Sequence, residues 1–116
     1  MKISIIIAVY KDYESLKVVL ESLYSQSYKE FEVIIAEDCE ENKMKELLGL
    51  WKEKIKIKHV FQEDKGFRKN KILNKAIKVS EGEYFIFLDG DCMVHSDFVL
   101  EYSKKVAENN LLVGRR

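Results

Sequence analysis

Short runs of apolar, β-branched residues alternate along this chain with segments whose apolar residues repeat at helical spacing. The apolar runs cover residues Ile3–Val9, 31–36, 55–61 and 84–88. The helical stripes that follow them are Leu16, Val19, Leu20 and Leu23; Met44, Leu47, Leu48 and Trp51; Leu73, Ala76, Ile77 and Ser80; and Phe98, Val99, Tyr102 and Val106. This βαβαβαβα order predicts an α/β fold, a Rossmann-like three-layer αβα arrangement around a mainly parallel sheet. The third run alternates in part, which predicts a position near an edge of that sheet.

The fourth apolar run leads directly into two carboxylates. Residues 84–88 are followed by Asp89, Gly90 and Asp91, and a continuous apolar run of this kind predicts a strand buried on both faces. In parallel α/β sheets the ligand crevice lies outside the carboxyl ends of the strands. Two carboxylates there repel each other unless a cation shares the site, and oxygen ligands favour Mg²⁺ or Mn²⁺. The alternative is a simple turn, because Asp-Gly is a common turn dipeptide.

The first two predicted strands end at the same edge of the sheet and carry further candidate ligands. The first strand ends in Ala8, Val9 and Tyr10, and Asp38 follows the second. An acidic residue after the second strand of a βαβ unit commonly reads a nucleotide by hydrogen bonding. The alternatives are core packing for Tyr10 and a helix cap or loop position for Asp38.

A basic segment leads into the third predicted helix. Six basic residues and no acidic residue lie between residues 65 and 80. Arg68 and Lys71 lie near the start of this helix, where basic side chains suit a phosphate group. Lys75 and Lys78 are predicted to face solvent. Neither of the Gly-rich phosphate-binding motifs is present in the sequence.

Composition argues against several classes of partner. The 116 residues carry 20 basic and 20 acidic side chains, so no overall charge favours nucleic acid or an anionic membrane. Two cysteines without a Cys-x-x-Cys pair argue against a disulfide framework and against a zinc site, and they fit a reducing cytoplasm. No run approaches the roughly 20 apolar residues of a transmembrane segment, and the N-terminus is typical of a strand rather than a signal peptide.

Five blocks of the sequence resemble, in order and spacing, the N-terminal half of a family 2 glycosyltransferase. The blocks cover residues 3–10, 20–28, 31–38, 66–74 and 87–91. Residues 64–68 are similar to the branch of the family that includes the capsule and chondroitin polymerases. The sequence departs from the family pattern at Lys11, at Glu37-Asp38-Cys39 and at Leu73.

The resemblance implies a GT-A fold, a nucleotide-sugar donor that is usually UDP-linked, a divalent metal ion (Mn²⁺ or Mg²⁺) and inversion at the anomeric carbon. It also implies that Asp91 binds the metal and that Asp38 hydrogen-bonds the uracil. Asp89 would hold the ribose, while Arg68 and Lys71 would assist at the pyrophosphate. The nucleotide-binding residues implied in all are Ala8, Val9, Tyr10, Asp38, Arg68, Lys71, Asn74, Asp89 and Gly90.

The family's general base lies beyond the metal motif, and the 116 residues end before it. Residues 1–116 are therefore expected to form the nucleotide-sugar-binding half of a GT-A domain, truncated at the C-terminus, which binds a donor but transfers sugar poorly. The implied acceptor is a saccharide or a lipid-linked molecule, and the implied location is the cytoplasm, at the inner face of the membrane.

The same sequence pattern allows three other functions to be considered. The first is a truncated, non-catalytic nucleotide-binding or assembly module that self-associates through an unfinished strand at residues 111–116. The second is a phosphoacceptor receiver domain, which is disfavoured because Tyr10 and Lys11 stand where an acidic pair is needed. The third is a sugar nucleotidyltransferase, which is disfavoured because no Gly-rich loop follows the first strand.

Overall fold

The computed structural model describes residues 2–9, 13–37, 42–61, 69–89 and 94–109. Within these ranges strands and helices alternate in the order that the sequence predicts. Their bounds are β1 Ile3–Val9, α1 Tyr13–Tyr24, β2 Phe31–Glu37, α2 Asn42–Trp51, β3 Ile57–Phe61, α3 Lys69–Val79, β4 Tyr84–Asp89 and α4 Phe98–Asn109. None of these helices has a stretch long and apolar enough to cross a membrane.

The described strands form one parallel sheet, which confirms the predicted parallel arrangement, and their order in the sheet is β3-β2-β1-β4. β1 lies inside the sheet, where Ile3 is in register with Phe31 of β2 and with Tyr84 of β4. Among the described strands β3 pairs with β2 alone, which confirms its predicted edge position. Because the strands are parallel, their C-terminal ends meet at one edge of the sheet, here called the carboxyl edge, and their N-terminal ends meet at the amino edge.

Three strand boundaries differ from the predicted ones. β2 and β4 each continue one residue further, to Glu37 and to Asp89. β3 begins at Ile57 rather than at residue 55. The backbone amide of Ile55 donates instead to the carbonyl oxygen of Trp51 at 3.0 Å, in the turn that ends α2. The apolar side chain of Ile55 is buried all the same, so its hydrophobicity indicated burial and not a strand.

The larger part of the core lies on the sheet face that α1, α2 and α4 cover. The predicted stripe of α1 is confirmed, because Leu16, Val19, Leu20 and Leu23 are all buried. Alternate strand residues point into the same cluster: Ile3, Ile5, Ile7 and Val9 of β1, Val33 and Ile35 of β2, and Ile86 and Leu88 of β4. Each such side chain contributes about 1.5–3 kcal/mol to folding when fully buried.

Helix α3 covers the opposite face of the sheet, and its buried stripe differs from the predicted one. Ile72 and Ala76 are buried against Ile6 and Ile34, with Leu73 only partly buried. The predicted stripe contained Ile77, which is 38% exposed, and Ser80, which lies after the helix ends. Neighbouring residues are separated by about 100° around a helix, so a shift of one position moves a side chain from the buried face to its flank.

The prediction that the fourth strand is buried on both faces is wrong for the described part of the chain. Ile86 and Leu88 are buried, but Phe87 on the other face is 40% exposed. Among the described strands β4 pairs with β1 alone, and α3 packs against β1, β2 and β3 instead. The hydroxyl of Tyr102 in α4 donates to the carbonyl oxygen of Phe85 at 2.8 Å and fixes α4 to this strand.

A buried carboxylate organises the amino edge of the sheet. Glu32 Oε2 accepts hydrogen bonds from Ser4 Oγ at 2.7 Å and from the backbone amide of Glu81 at 2.6 Å. Ser4 Oγ in turn accepts from the amide of Gly82 at 2.9 Å, and Lys58 Nζ lies 3.2 Å from Glu32 Oε1. Burial alone would raise the pKa of Glu32, but the Glu81 amide, the Ser4 hydroxyl and Lys58 outweigh it and hold that pKa below its ordinary value.

Candidate functional site

The carboxyl edge brings together the strand ends that the sequence singles out. Ala8 at the end of β1 is in register with Ala36 in β2 on one side and with Asp89 in β4 on the other. Glu37 is the last residue of β2 and is in register with Val9 of β1. The parallel topology therefore places three of the predicted ligand-bearing strand ends next to one another, in the order β2, β1, β4.

Several predicted site residues fall outside the part of the chain that the structure describes. These are Tyr10, Asp38, Arg68, Gly90 and Asp91, and for Asp89 only the backbone is described. Their proposed contacts stay predictions. The structure does describe the ends of the strands and helices that flank them.

The two described residues at the end of β1 differ in their surroundings. Ala8 is partly exposed, and its side chain lies on the face of the sheet that α3 covers. Val9 is 4% exposed and packs in the core on the opposite side. A contact between Val9 and a nucleotide would therefore come from its backbone and not from its side chain.

Helix α3 begins at the carboxyl edge and runs back across the sheet. Lys58 Nζ donates to the carbonyl oxygen of Val79 at 2.7 Å, which fixes the C-terminal end of the helix at the amino edge. Lys71 and Asn74, both predicted site residues, are exposed in the first half of the helix. Their exposure keeps them available to a ligand at the carboxyl edge.

The basic residues further along α3 are exposed, as predicted, but one of them has a defined contact. Lys75 Nζ donates to the carbonyl oxygen of Phe61 at 2.9 Å and lies 5.8 Å from the centre of its ring. Lys75 thus ties α3 to the last residue of β3, a contact that the prediction of a purely solvated lysine missed. Lys78 remains an exposed residue of the last helical turn.

A second buried carboxylate lies at the carboxyl edge, and sequence reasoning gave it no role. Glu37 is fully buried at the end of β2. Its Oε2 accepts a hydrogen bond from the hydroxyl of Tyr13 at 3.1 Å, and its Oε1 lies 2.8 Å from Nε2 of His59. The available signal was that Glu37 continues the inward-facing alternation of Val33 and Ile35.

The donor set at the end of β4 fits a hard divalent cation by its chemistry. The sequence there supplies carboxylates at positions 89 and 91, and carboxylate oxygens are the ligands that Mg²⁺ and Mn²⁺ prefer. The register of β4 carries Asp89 to the carboxyl edge beside Ala8. Within the described ranges no three His, Cys, Asp or Glu side chains cluster to form another candidate metal site.

A pocket of about 200 Å³ lies at the amino edge, away from the predicted donor site. Its lining includes Tyr24 at the end of α1, Phe31 at the start of β2, and Lys29, Lys54 and Lys56. Its lysines already have partners, since Lys29 Nζ donates to the carbonyl oxygen of Tyr24 at 2.6 Å and Lys56 Nζ to Glu81 at 3.0 Å. None of the predicted site residues lines this pocket.

A family model decides the affiliation of the chain. The model described as glycosyl transferase family 2 matches residues 4–116. The chain belongs to glycosyl transferase family 2. This result confirms the resemblance that the five sequence blocks indicate, and it makes the chain part of a family of glycosyltransferases.

This family 2 chain has curated relatives among the glycosyltransferases, and the similarity covers nearly the whole chain. An uncharacterized glycosyltransferase of Rickettsia conorii is 31% identical over 111 residues, which are 96% of this chain and 18% of that protein. The poly(ribitol-phosphate) β-N-acetylglucosaminyltransferase TarS of Staphylococcus aureus is 26% identical over 112 residues, 95% of this chain and 20% of that protein. A chondroitin synthase of Escherichia coli is 27% identical over 117 residues, 98% of this chain and 17% of that protein. The chain thus spans about a fifth of the length of these relatives.

Solved structures confirm the fold of the family 2 chain. The crystal structure of S. aureus TarS superposes with a TM-score of 0.85 at 27% identity, over 95% of this chain and 20% of that one. The structure of TarS residues 1–349 in complex with UDP-GlcNAc gives a TM-score of 0.85 at 26% identity, over 95% of this chain and 32% of that one. The predicted GT-A fold, with its parallel sheet and flanking helices, is therefore confirmed.

Proposed function

We propose that residues 1–116 form the donor-binding part of a metal-dependent, inverting glycosyltransferase that uses a UDP-sugar and glycosylates a saccharide or a lipid-linked acceptor. The observation that carries the proposal is the alignment of three strand ends at the carboxyl edge, with Ala8 in register between Ala36 and Asp89. The similarity to TarS, which was crystallised with UDP-GlcNAc, supports a nucleotide-sugar as the ligand of this edge.

Each predicted residue then has a role that its chemistry can supply. The backbone at Ala8 and Val9, together with Tyr10, lines the base pocket, and Asp38 accepts a hydrogen bond from the uracil. Asp89 holds the ribose, and Gly90 lets the backbone come close to the nucleotide. Arg68 and Lys71 face the diphosphate, where paired positive charge is most effective, and Asn74 lies on the same helix one turn further along.

Metal binding falls to Asp91, with Asp89 as its neighbour at the end of β4. A bound Mn²⁺ or Mg²⁺ would neutralise the negative charge that develops on the departing UDP. The chain's own residues bind and orient the donor. No residue within 1–116 is assigned as general base, and general-base assistance is worth roughly 10²–10⁴-fold. Residues 1–116 alone are therefore expected to bind a donor and to transfer its sugar poorly.

Calorimetric titration with UDP, with and without Mn²⁺, tests the proposal directly. We expect binding that depends on Mn²⁺ and that is lost in Asp91→Ala. Glu53→Ala is the matched control, because Glu53 is an exposed acid in the turn after α2, at the amino edge. The absence of UDP binding by the wild-type chain under both conditions would contradict the proposal, as would equal binding by wild type and Asp91→Ala.

The alternative function is a non-catalytic nucleotide-binding or assembly module. One observation favours it, namely that β4 is an edge strand in the described sheet and leaves Phe87 40% exposed beside that edge. Exposed strand edges invite pairing with another chain. Light scattering across a range of concentrations distinguishes the two, because self-association through β4 predicts dimers that Phe87→Lys abolishes.

A cytoplasmic location at the inner face of the membrane stays a prediction.

A further inference from the structure

Glu37 occupies an unusual position for a buried acid. Its carboxylate is fully buried, and it is bonded at one oxygen to Tyr13 and at the other to His59. Burying a carboxylate is costly unless hydrogen bonds replace its hydration. These two contacts therefore fix both the side chain of Glu37 and the two elements that supply its partners.

The cluster lies close to the described ends of three elements that border the carboxyl edge. Tyr13 is the first residue of α1, directly after the segment 10–12. Glu37 is the last residue of β2, directly before the segment 38–41. His59 lies two residues before Phe61, where β3 ends ahead of the segment 62–68. The predicted donor ligands Tyr10, Asp38 and Arg68 belong to those three segments.

We infer that Glu37 is a positioning residue for donor binding, acting through Tyr13 and His59 to hold the ends of α1, β2 and β3 in the spacing that the nucleotide requires. The inference rests on the proposed function. Glu37 is buried on the core face of the sheet, opposite the face of Ala8, so it touches no donor itself. Its effect comes from fixing where neighbouring segments begin, and such supporting contacts decide how well a site is pre-organised.

A neighbouring residue supplies a close control for a purely structural role. Glu32 belongs to the same strand, is also fully buried, and also accepts two hydrogen bonds, from Ser4 and from the Glu81 amide. It differs in its place, since it lies at the amino edge. Loss of either carboxylate costs stability, but only the loss of Glu37 should alter the carboxyl edge.

The experiment measures UDP affinity in the presence of Mn²⁺ for wild type, Glu37→Gln, Glu32→Gln and Tyr13→Phe, well below the unfolding temperature of each. We expect the Kd to rise about 10-fold in Glu37→Gln, the scale at which supporting hydrogen bonds affect functional groups. A smaller rise is expected in Tyr13→Phe, and Glu32→Gln should match wild type despite comparable destabilisation. Tyr13→Phe retains the buried carboxylate, and it keeps the test decisive if Glu37→Gln does not fold.

Each outcome has a definite meaning. Weaker binding in Glu37→Gln or Tyr13→Phe with normal binding in Glu32→Gln supports the positioning role. Unchanged affinity in both Glu37→Gln and Tyr13→Phe overturns it, and so does an equal loss in Glu37→Gln and Glu32→Gln, which would indicate general destabilisation. A wild-type chain that binds no UDP overturns the proposed function and the positioning role with it, and that result is recognised before any variant is compared.

Discussion

The side-chain oxygen Oε1 of Gln26 accepts a hydrogen bond from the backbone amide of Val99, at 3.0 Å, and so caps the first turn of α4 from the far end of α1. The same side chain donates through Nε2 to the carbonyl oxygens of Ser22 at 3.0 Å and His95 at 2.7 Å. Gln26 is buried, so these contacts satisfy its whole amide and join α1 to the segment that follows the predicted metal motif.

Replacement of Gln26 by alanine should therefore destabilise the fold strongly. The buried amide of Val99 would lose its acceptor, and an unsatisfied buried polar group costs about 1–3 kcal/mol. The carbonyl of His95 would lose one of its two donors and keep the amide of Phe98, at 3.1 Å. We expect a loss of about 2–4 kcal/mol in the free energy of unfolding, measured by urea denaturation. Ser25→Ala, at the neighbouring exposed position, should change it by less than about 0.5 kcal/mol. Similar stabilities for the two variants would show that the cap is not formed.

Replacing Gly82 or Gly49 by alanine should change the stability of the fold in opposite directions. A Cβ at Gly82 would lie 2.6 Å from the backbone nitrogen of Ser4 and would also collide with its hydroxyl, whereas a Cβ at Gly49 meets nothing within 4 Å. Gly82→Ala should cost about 1–3 kcal/mol through overpacking against β1. Gly49→Ala, inside α2, should instead stabilise by about 0.5–1 kcal/mol because glycine is a poor helix former. Thermal unfolding of both variants checks the pair, and stabilisation by Gly82→Ala would contradict the close packing.

Stability should depend on pH through Glu81. Hydrogen bonds from Lys56, Lys2 and Lys58 lower the pKa of its carboxyl from 4.5 to about 2. Between these values the folded state keeps the charge while the unfolded state takes up a proton, so the stabilisation is complete above 4.5 and is lost as the pH falls toward 2. The difference in Tm between wild type and Glu81→Gln should shrink over that range. Glu53→Gln removes an equal charge at an exposed site as the control, and a difference that is independent of pH would contradict the assignment.

The two halves of α3 should differ in their effect on nucleotide affinity. Lys71 is exposed in the first turn of the helix at the carboxyl edge, and Lys78 is exposed in the last turn at the amino edge. If Lys71 contacts the diphosphate, Lys71→Ala should weaken UDP binding about 3- to 10-fold, which corresponds to the net contribution of about one ordinary hydrogen bond. Lys78→Ala removes the same charge and should leave the Kd unchanged. Equal losses would indicate that only the overall charge matters.

Periodicity predicted the fold because each strand and helix carries its own signal. The stripe of α1, from Leu16 to Leu23, and the apolar, β-branched run of β1 are local patterns that need no knowledge of the neighbours. The exposed side of Phe87 could not be read in this way, because exposure depends on which elements lie beside β4. The register of α3 was missed for a related reason, since Ile72 and Ile77 are equally apolar and only the sheet beneath selects between them.

The burial of certain polar residues was also not predicted from the sequence, and the positions of their hydrogen-bond partners explain why. Glu32 is paired with Ser4 and Glu81, and Gln26 with His95 and Val99, all distant in sequence. No local spacing encodes such contacts. The predicted donor ligands came instead from strand ends, from the start of the basic helix and from the family resemblance, and the topology places Ala8 and the backbone of Asp89 side by side at such strand ends.

The pairing of Ala8 with Asp89 also determines at which stage of folding the carboxyl edge is complete. These residues lie about 80 positions apart, so β4 joins β1 only by closing a long loop, whereas β1 and β2 can pair as soon as α1 connects them. Contacts of high sequence separation form slowly. During synthesis the carboxyl edge is therefore complete only after β4 has left the ribosome. A nucleotide bound at the ends of β1, β2 and β4 would stabilise the completed sheet and would slow the separation of β4 from β1.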